Sequence, residues 1–143
     1  MAVERRTFLR RARDVSLGVA VGGCLPWVSG CAGVPYADFR RSGNVLRVPR
    51  AAFATSPGVL LNFPDEGMPI YVHRHGEGRY SAVLTRCTHQ GCQADPDQDR
   101  IRCPCHGSEY SLDGRVLQGP AERSLTRYAI SVEGDEILVE VGR

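Results

Sequence analysis

Cysteine and histidine are concentrated in one short stretch of the chain, which holds four of its six cysteines and two of its four histidines. Residues 87–92 read CTHQGC and residues 103–108 read CPCHGS. Thiolate and imidazole groups are ligands for iron and zinc in proteins. The stretch therefore predicts a metal site, to which each motif contributes one thiol and one imidazole: Cys87 with His89, and Cys103 with His106.

Two cysteines and two histidines would also satisfy a mononuclear zinc ion. A zinc site leaves Cys92 and Cys105 without a function, although each lies close to a candidate ligand. The 13 residues between His89 and Cys103 are enough for a hairpin, with its turn at 95–97, that brings the two motifs together. The surplus cysteines argue against zinc, while the ligand types alone do not choose the metal.

The two motifs resemble the signature of the Rieske iron–sulfur family, in the disulfide-bearing form found in quinol–cytochrome oxidoreductases. The resemblance is strongest over residues 84–122. In that family two cysteines hold one iron of a 2Fe–2S cluster and two histidines hold the other. The resemblance implies one such cluster, with the following roles: Cys87 and Cys103 on the first iron, His89 and His106 on the second, and Cys92 paired with Cys105 in a disulfide.

The same resemblance implies a high reduction potential. Histidine ligation raises the potential to roughly −150 to +300 mV, against about −400 mV for the all-cysteine plant type. Ser108 and Tyr110 stand where high-potential members place hydroxyls, one toward a bridging sulfide and one toward the first cysteine sulfur. Gly119 and Pro120 match the proline loop that covers the third side of the cluster. We therefore expect a positive, pH-dependent potential.

Two departures from the quinol-oxidising members bear on the redox partner. Gln90 stands where those members carry leucine, and the spacer between the motifs is shorter than theirs.

The leading interpretation is a one-electron carrier between a quinol-linked or enzymatic donor and a cytochrome-like acceptor. The alternative is the Rieske subunit of a quinol–cytochrome c oxidoreductase or of a periplasmic molybdenum oxidase. No nucleophile–base pair or phosphate loop is visible, so the sequence predicts no independent catalytic site.

Residues 1–31 have the features of an export signal. Arg5 and Arg6 form a twin arginine ahead of a moderately apolar run at 15–28, as in twin-arginine signals. That route carries folded proteins, which suits a chain that gains its cluster in the cytoplasm. The run ends in a lipobox-like sequence at Cys31, the candidate lipidation site; cleavage nearby or an uncleaved anchor are the alternatives. We expect the domain on the periplasmic side, attached to the membrane.

The charge balance argues against a nucleic-acid partner. All 18 basic residues are arginine, and there are 16 acidic residues. Five arginines and two acids precede residue 31, which leaves 13 arginines against 14 acids in the remainder. The domain itself therefore lacks the basic excess that is typical of nucleic-acid binding.

The elements that must position the two motifs are short β-strands. Alternation and turn residues predict strands at 45–48, 58–63, 70–74, 79–84, 127–132 and 136–141, with hairpin turns at 75–78 and 133–135. We expect an all-β fold, an antiparallel sandwich or barrel over 45–143, with a cluster-binding subdomain of two loops inserted at 84–122. Residues 32–44 are expected to be a linker. His73 and His75 are expected to be solvated hairpin residues.

Overall fold

The computed structural model describes residues 33–76 and 78–142. The predicted signal at 1–31, with Cys31, lies outside the described residues. The described part of the chain contains two 3-10 helices, Arg50–Phe53 and Pro64–Glu66, and has no helix long and apolar enough to cross a membrane. Its strands are β1 Arg40–Ser42, β2 Val45–Pro49, β3 Gly58–Leu61, β4 Ile70–Gly76, β5 Arg79–Leu84, β6 Asp95–Pro96, β7 Ile101–Arg102, β8 Glu109–Tyr110, β9 Val116–Gln118, β10 Arg127–Glu133 and β11 Glu136–Glu140.

Two antiparallel sheets make up the fold. Seven strands form a curled sheet in the order β1-β2-β11-β10-β5-β4-β3, and four strands form a small sheet in the order β6-β7-β8-β9. The whole small sheet lies between β5 and β10 in the chain, so it is an insertion into the large sheet. The expected all-β fold with an inserted subdomain is confirmed, while the exact domain boundaries stay predictions.

At one side of the large sheet, β3, the first half of β4 and the second half of β5 are buried on both faces. In β4, Ile70 and Val72 pack into the core of the large sheet, whereas Tyr71 between them packs into a second core. That second core also holds Ile101 and Tyr110 of the small sheet. Successive side chains of a strand point to opposite faces, so one strand serves both cores. This explains why β3 and β4 contain continuous apolar runs instead of an alternating pattern.

Gly58 makes room for Tyr71 on the second face. A Cβ atom at position 58 would lie 2.3 Å from the Tyr71 hydroxyl oxygen, far inside the distance at which unbonded atoms touch. The hydroxyl lies 2.9 Å from Nδ1 of His73 instead. A glycine at the start of β3 is therefore required by the buried tyrosine on the neighbouring strand.

Part of the expected linker belongs to the large sheet. Residues 40–42 form β1 and pair with β2. Upstream, the Leu60 N–H donates to the Pro35 carbonyl and the Ala37 N–H donates to the Leu60 carbonyl, both at 2.9 Å. All of β1 is exposed, and an edge strand needs no apolar face. Its polar sequence therefore shows no alternation that would predict a strand. The prediction of a linker is wrong for this part of the chain.

The hairpin between the two motifs turns later than expected. Its turn spans 97–100, where the Asp97 N–H donates to the Arg100 carbonyl at 2.8 Å. Asp95 and Pro96 belong to β6 and pair with β7. A proline is tolerated there because β6 is an edge strand, where a missing N–H costs no ladder hydrogen bond.

His73 lies inside the protein, not in solvent as expected. It is 7% exposed, whereas His75, two residues on in β4, is exposed. His73, Pro96 of β6 and the turn residues Asp97 and Gln98 line one cavity, so a distant part of the chain lies near this histidine. Such long-range packing leaves no trace in a local hairpin pattern. Burial, together with the nearby charges of His75 and Arg74, lowers the pKa of His73 to about 4.

We predict that His73 makes the protein less stable in mild acid. The unfolded chain protonates His73 near the ordinary pKa of about 6.5, whereas the folded chain does so near pH 4. Between these values the unfolded state binds more protons, so the free energy of unfolding decreases as the pH falls. Urea unfolding at neutral pH and near pH 5 should therefore show a smaller acid loss for His73→Gln than for wild type. His75→Gln removes one of the charges that lower the pKa of His73 and should therefore show an intermediate loss; equal losses in all three proteins would contradict the prediction.

Candidate metal centre

The two cysteine–histidine motifs form two loops with the same backbone hydrogen bonds. The first loop is residues 87–92 and the second loop is residues 103–108. In each loop, the N–H of the first residue donates to the carbonyl of the sixth, and the N–H of the fifth donates to the carbonyl of the first, at 2.8 to 3.0 Å. The fifth residues are Gly91 and Gly107, with φ of 79° and 77°. Residues with a side chain rarely adopt this conformation, which explains a glycine in both loops.

The two loops place the sulfurs of Cys87 and Cys103 inside the protein and the histidine rings at its surface. Cys87 and Cys103 are free cysteines, 3% and 1% exposed, and they belong to the second core with Ile101. His89 and His106 are exposed, with ring centroids 5.0 Å apart and planes at 81°. The structure thus arranges the four predicted ligands as two buried thiols and two neighbouring exposed imidazoles.

A disulfide between Cys92 and Cys105 joins the two loops, with an S–S distance of 2.05 Å. The predicted pairing is confirmed. The sulfur of Cys103 lies within 4.8 Å of both disulfide sulfurs, so the bond runs beside one of the buried thiols. Three cysteine sulfurs at this spacing resemble a metal site, but two of them are oxidised and cannot bind a metal as thiolates.

The hydroxyl of Tyr110 lies 3.3 Å from the sulfur of Cys87. It accepts a hydrogen bond from the Thr88 N–H at 3.2 Å, which leaves its own proton to be donated. The Thr88 hydroxyl donates to the Arg123 carbonyl at 2.5 Å, so in its 3.2 Å contact with Tyr110 the tyrosine must be the donor. The tyrosine proton is therefore shared between two acceptors on the first loop, one of which is the Cys87 sulfur.

Ser108 is fully buried and connects the second loop to the proline loop, residues 119–121. Its hydroxyl oxygen accepts the Ala121 N–H at 3.0 Å, and the Gln118 side-chain amide donates to the Gly107 carbonyl at 3.2 Å. Because a backbone N–H occupies one side of the Ser108 oxygen, the hydroxyl proton is left to donate elsewhere. The predicted loop at Gly119 and Pro120 thus lies against the second loop, and both of these residues are exposed.

The surroundings of Cys87 favour a thiolate. Burial raises the pKa of this thiol, but hydrogen bonds from Tyr110, from the His89 N–H and from the side chains of Cys103 and Ser108 together lower it. Burial raises the pKa of Cys103, and its hydrogen bond to Cys87 raises it further. Negative charge therefore develops first on Cys87, where the donors converge.

A curled β-sheet that carries two inserted cysteine–histidine loops is the arrangement of an iron–sulfur protein. The family model described as the Rieske [2Fe-2S] domain matches residues 45–129, which is more than half of the chain. The chain belongs to the Rieske [2Fe-2S] family. Membership implies one 2Fe–2S cluster, and the residues present fit it, because two buried thiols, two imidazoles and two hydroxyl donors meet at one place.

Individual relatives agree with this assignment. The chain is 35% identical over 142 residues to the cytochrome b6-f complex iron-sulfur subunit of Chlorobaculum tepidum, across 96% of this chain and 76% of that subunit. It is 43% identical to the subunit of the same name from Synechococcus sp. (strain JA-2-3B'a(2-13)), across 94% of this chain and 86% of that subunit. The crystal structure of the cyanobacterial plasma membrane Rieske protein PetC3 from Synechocystis PCC 6803 matches with a TM-score of 0.58 and 38% identity, over 65% of this chain and 95% of that one.

The sequence did not reveal the residues that hold the two hydroxyls in place. Thr88 orients Tyr110, but the carbonyl that fixes Thr88 belongs to Arg123, 35 residues away. Ala121 orients Ser108 through a backbone N–H, which every residue except proline carries. A threonine beside Cys87 was a visible signal for the first contact, whereas the second had none.

We predict that removing the disulfide lowers the free energy of unfolding by about 3 kcal/mol, the chain-entropy value for a loop of roughly 15 residues. The two cysteines are 13 residues apart. Replacing both, as Cys92→Ser with Cys105→Ser, avoids an odd reactive thiol. Guanidinium unfolding of the cluster-loaded protein, followed by visible absorbance and by circular dichroism, measures the change. Wild-type protein treated with a thiol reductant is the matched comparison and should shift in the same direction; an unchanged unfolding midpoint in the double variant would refute the prediction.

Proposed function

We propose that the chain is a one-electron carrier with a high-potential Rieske 2Fe–2S cluster. The support comes from the family and from relatives named as iron-sulfur subunits of the cytochrome b6-f complex. One observation carries the high potential: the Tyr110 hydroxyl lies 3.3 Å from the Cys87 sulfur and has its proton to donate. A donor aimed at a ligand sulfur stabilises the reduced, more negative state of an iron–sulfur site.

In this proposal Cys87 and Cys103 hold one iron, and His89 and His106 hold the other. The bound cluster supplies one-electron oxidation and reduction at a site with two thiolates and two neutral imidazoles. Four thiolates would add two further negative charges, and an electron costs more to add to a more negative site in a low dielectric. The ligand set therefore favours a potential in the range of roughly −150 to +300 mV.

The exposed histidines define the side on which electrons enter and leave. His89 and His106 are open to solvent, whereas Cys87 and Cys103 are 3% and 1% exposed. A partner can therefore approach the rings far more closely than the sulfurs. When bound, the cluster would become more negative on reduction, and that charge would favour a proton on the exposed rings. The potential is then expected to fall as the pH rises.

The proposed donor is a quinol-linked complex or an enzyme subunit, and the proposed acceptor is cytochrome-like. Gln90 is exposed beside His89, so the docking face carries an amide where an apolar contact would suit a quinol pocket. This favours a carrier that docks through polar contacts.

The second candidate function is that of a fixed Rieske subunit in a quinol–cytochrome c oxidoreductase or in a periplasmic molybdenum oxidase. The names of the relatives favour the first of these two complexes.

We also propose export by the twin-arginine route and attachment to the membrane on the periplasmic side. The supporting residues are Arg5 and Arg6, which form the twin arginine, and Cys31 in its lipobox-like sequence. A similar solved protein is described as a plasma membrane Rieske protein. Lipidation of Cys31 would supply the anchor.

The high potential is tested with Tyr110→Phe, which removes one donor and keeps the ring. We expect a lower midpoint potential, because the reduced state loses its hydrogen bond; a tenfold change in relative stability corresponds to about 59 mV for one electron. Protein-film voltammetry gives the midpoint, and electron paramagnetic resonance of the reduced protein verifies the cluster. Tyr36→Phe is the control, since that residue is 60% exposed, and it should leave the midpoint unchanged. An unaltered midpoint in Tyr110→Phe would show that the hydrogen bond of Tyr110 does not raise the potential.

Export is tested by changing both Arg5 and Arg6 to lysine. We expect this variant to stay in the cytoplasmic fraction, because the twin-arginine route depends on that pair. Arg10→Lys with Arg11→Lys is the matched control and should be exported. Export of the Arg5 and Arg6 variant at the wild-type level would argue against this route.

Lipidation is tested by palmitate labelling. The label should disappear in Cys31→Ala and persist in Cys24→Ala, which changes the other cysteine of residues 1–31.

A further inference from the structure

A cavity of about 370 Å³ opens beside the first loop. Cys87 and Gly91 contribute to its wall, so it borders the proposed iron ligand directly. The charged residues that line it are Arg86 and Arg123, and no carboxylate is among its lining residues. It therefore carries a single sign of charge next to the metal centre.

The two arginines reach the cavity from different parts of the chain. Arg86 follows β5, and its guanidinium is held by a hydrogen bond to the Glu66 carbonyl. Arg123 follows the proline loop, and its backbone is held through the Thr88 hydroxyl, which donates to its carbonyl. The fold thus brings two separate arginines to the lining of one cavity, with the guanidinium of Arg86 and the backbone of Arg123 held by hydrogen bonds.

These arginines differ from most others in the described residues. Seven arginines form ion pairs with carboxylates: Arg40, Arg41, Arg47, Arg100, Arg102, Arg115 and Arg127. Within residues 33–76 and 78–142, neither Arg86 nor Arg123 has such a pair. Each guanidinium has five N–H donors in a planar fork, and only one donor of Arg86 is used by the Glu66 carbonyl. Most of their hydrogen-bonding capacity is left for a ligand.

We propose that this cavity binds a tetrahedral oxyanion of the phosphate or sulfate class. A cleft lined by charges of one sign concentrates counter-ions, and the guanidinium fork matches two oxygens of an oxyanion at once. Ser124 and Thr126 line the same cavity with hydroxyl groups that can donate to further oxygens.

Oxyanion binding is coupled to the charge of the cluster. This part of the inference rests on Cys87 being an iron ligand, as proposed above; the binding itself rests on the arginines. An added electron at the cluster repels an anion beside Cys87, so the reduced protein binds the anion more weakly. By linkage, the bound anion disfavours reduction by the same factor and lowers the midpoint potential.

The first test is calorimetric titration of the oxidised, cluster-loaded protein with inorganic phosphate, at an ionic strength held constant with chloride. We expect saturable binding that weakens at least tenfold in Arg123→Gln and in Arg86→Gln. Arg74→Gln is the matched control, because Arg74 is exposed and outside the cavity, and it should bind as wild type does. Visible absorbance shows that each variant keeps its cluster. Absence of saturable binding, or equal binding in wild type and Arg123→Gln, would overturn the site.

The second test compares oxidised and reduced protein. We expect phosphate to bind about tenfold more weakly after reduction, which is within the usual range of coupling between sites and equals a fall of about 59 mV in the midpoint at saturating phosphate. Arg123→Gln should lose most of this dependence. Phosphate binding with no change in the midpoint would overturn the coupling. The visible spectrum reports the cluster separately, so failure of the proposed function is distinguishable from failure of the anion site.

Discussion

Two sulfur atoms must be kept out of water while two imidazole rings remain in it, and this constraint governs the rest of the structure. A buried thiolate is costly unless hydrogen bonds and neighbouring positive charge compensate it. The Tyr110 hydroxyl and the His89 N–H supply such bonds to Cys87. The rings, in contrast, need a position at the tip of the loops. A compact loop whose first residue points inward and whose third or fourth residue points outward meets both needs, and the chain uses that frame twice.

The large sheet matters to the site because β3, β4 and β5 contribute side chains to two different cores. Leu60, Tyr71 and Val83 lie in the same core as Cys87 and Cys103. The residues on either side of them in the strands belong to the other core. Neighbouring residues of one strand therefore belong to the two cores, so a change in packing in the core of the large sheet also affects the core that holds Cys87 and Cys103. The fold supports the loops by shared side-chain packing, which is denser and stiffer than a flexible tether.

The parts that were predictable from the sequence are those whose causes are local. Each of the two loops is formed by six consecutive residues, and the long hairpins are recognisable from alternating apolar residues and glycine turns. The small sheet was less visible, because β6, β7 and β8 have two residues each, too few to show a period. β1 and the burial of His73 escaped for other reasons. β1 pairs with β2, which follows it directly, but all of β1 is exposed and shows no apolar face. The burial of His73 involves residues 96–98, which are far away in the chain.

The disulfide also bears on which metal ions could displace a cluster that is already bound. If Cys92 and Cys105 were thiols, their sulfurs and that of Cys103 would form a set of three donors within 4.8 Å of one another. Sets of three or four soft ligands are what zinc prefers, and zinc would compete with the iron proposed at Cys103. Oxidation of the pair withdraws two of these donors and leaves Cys87 and Cys103 as the free thiols of the candidate site. We therefore expect the bond that braces the loops also to hinder the exchange of a bound cluster for zinc.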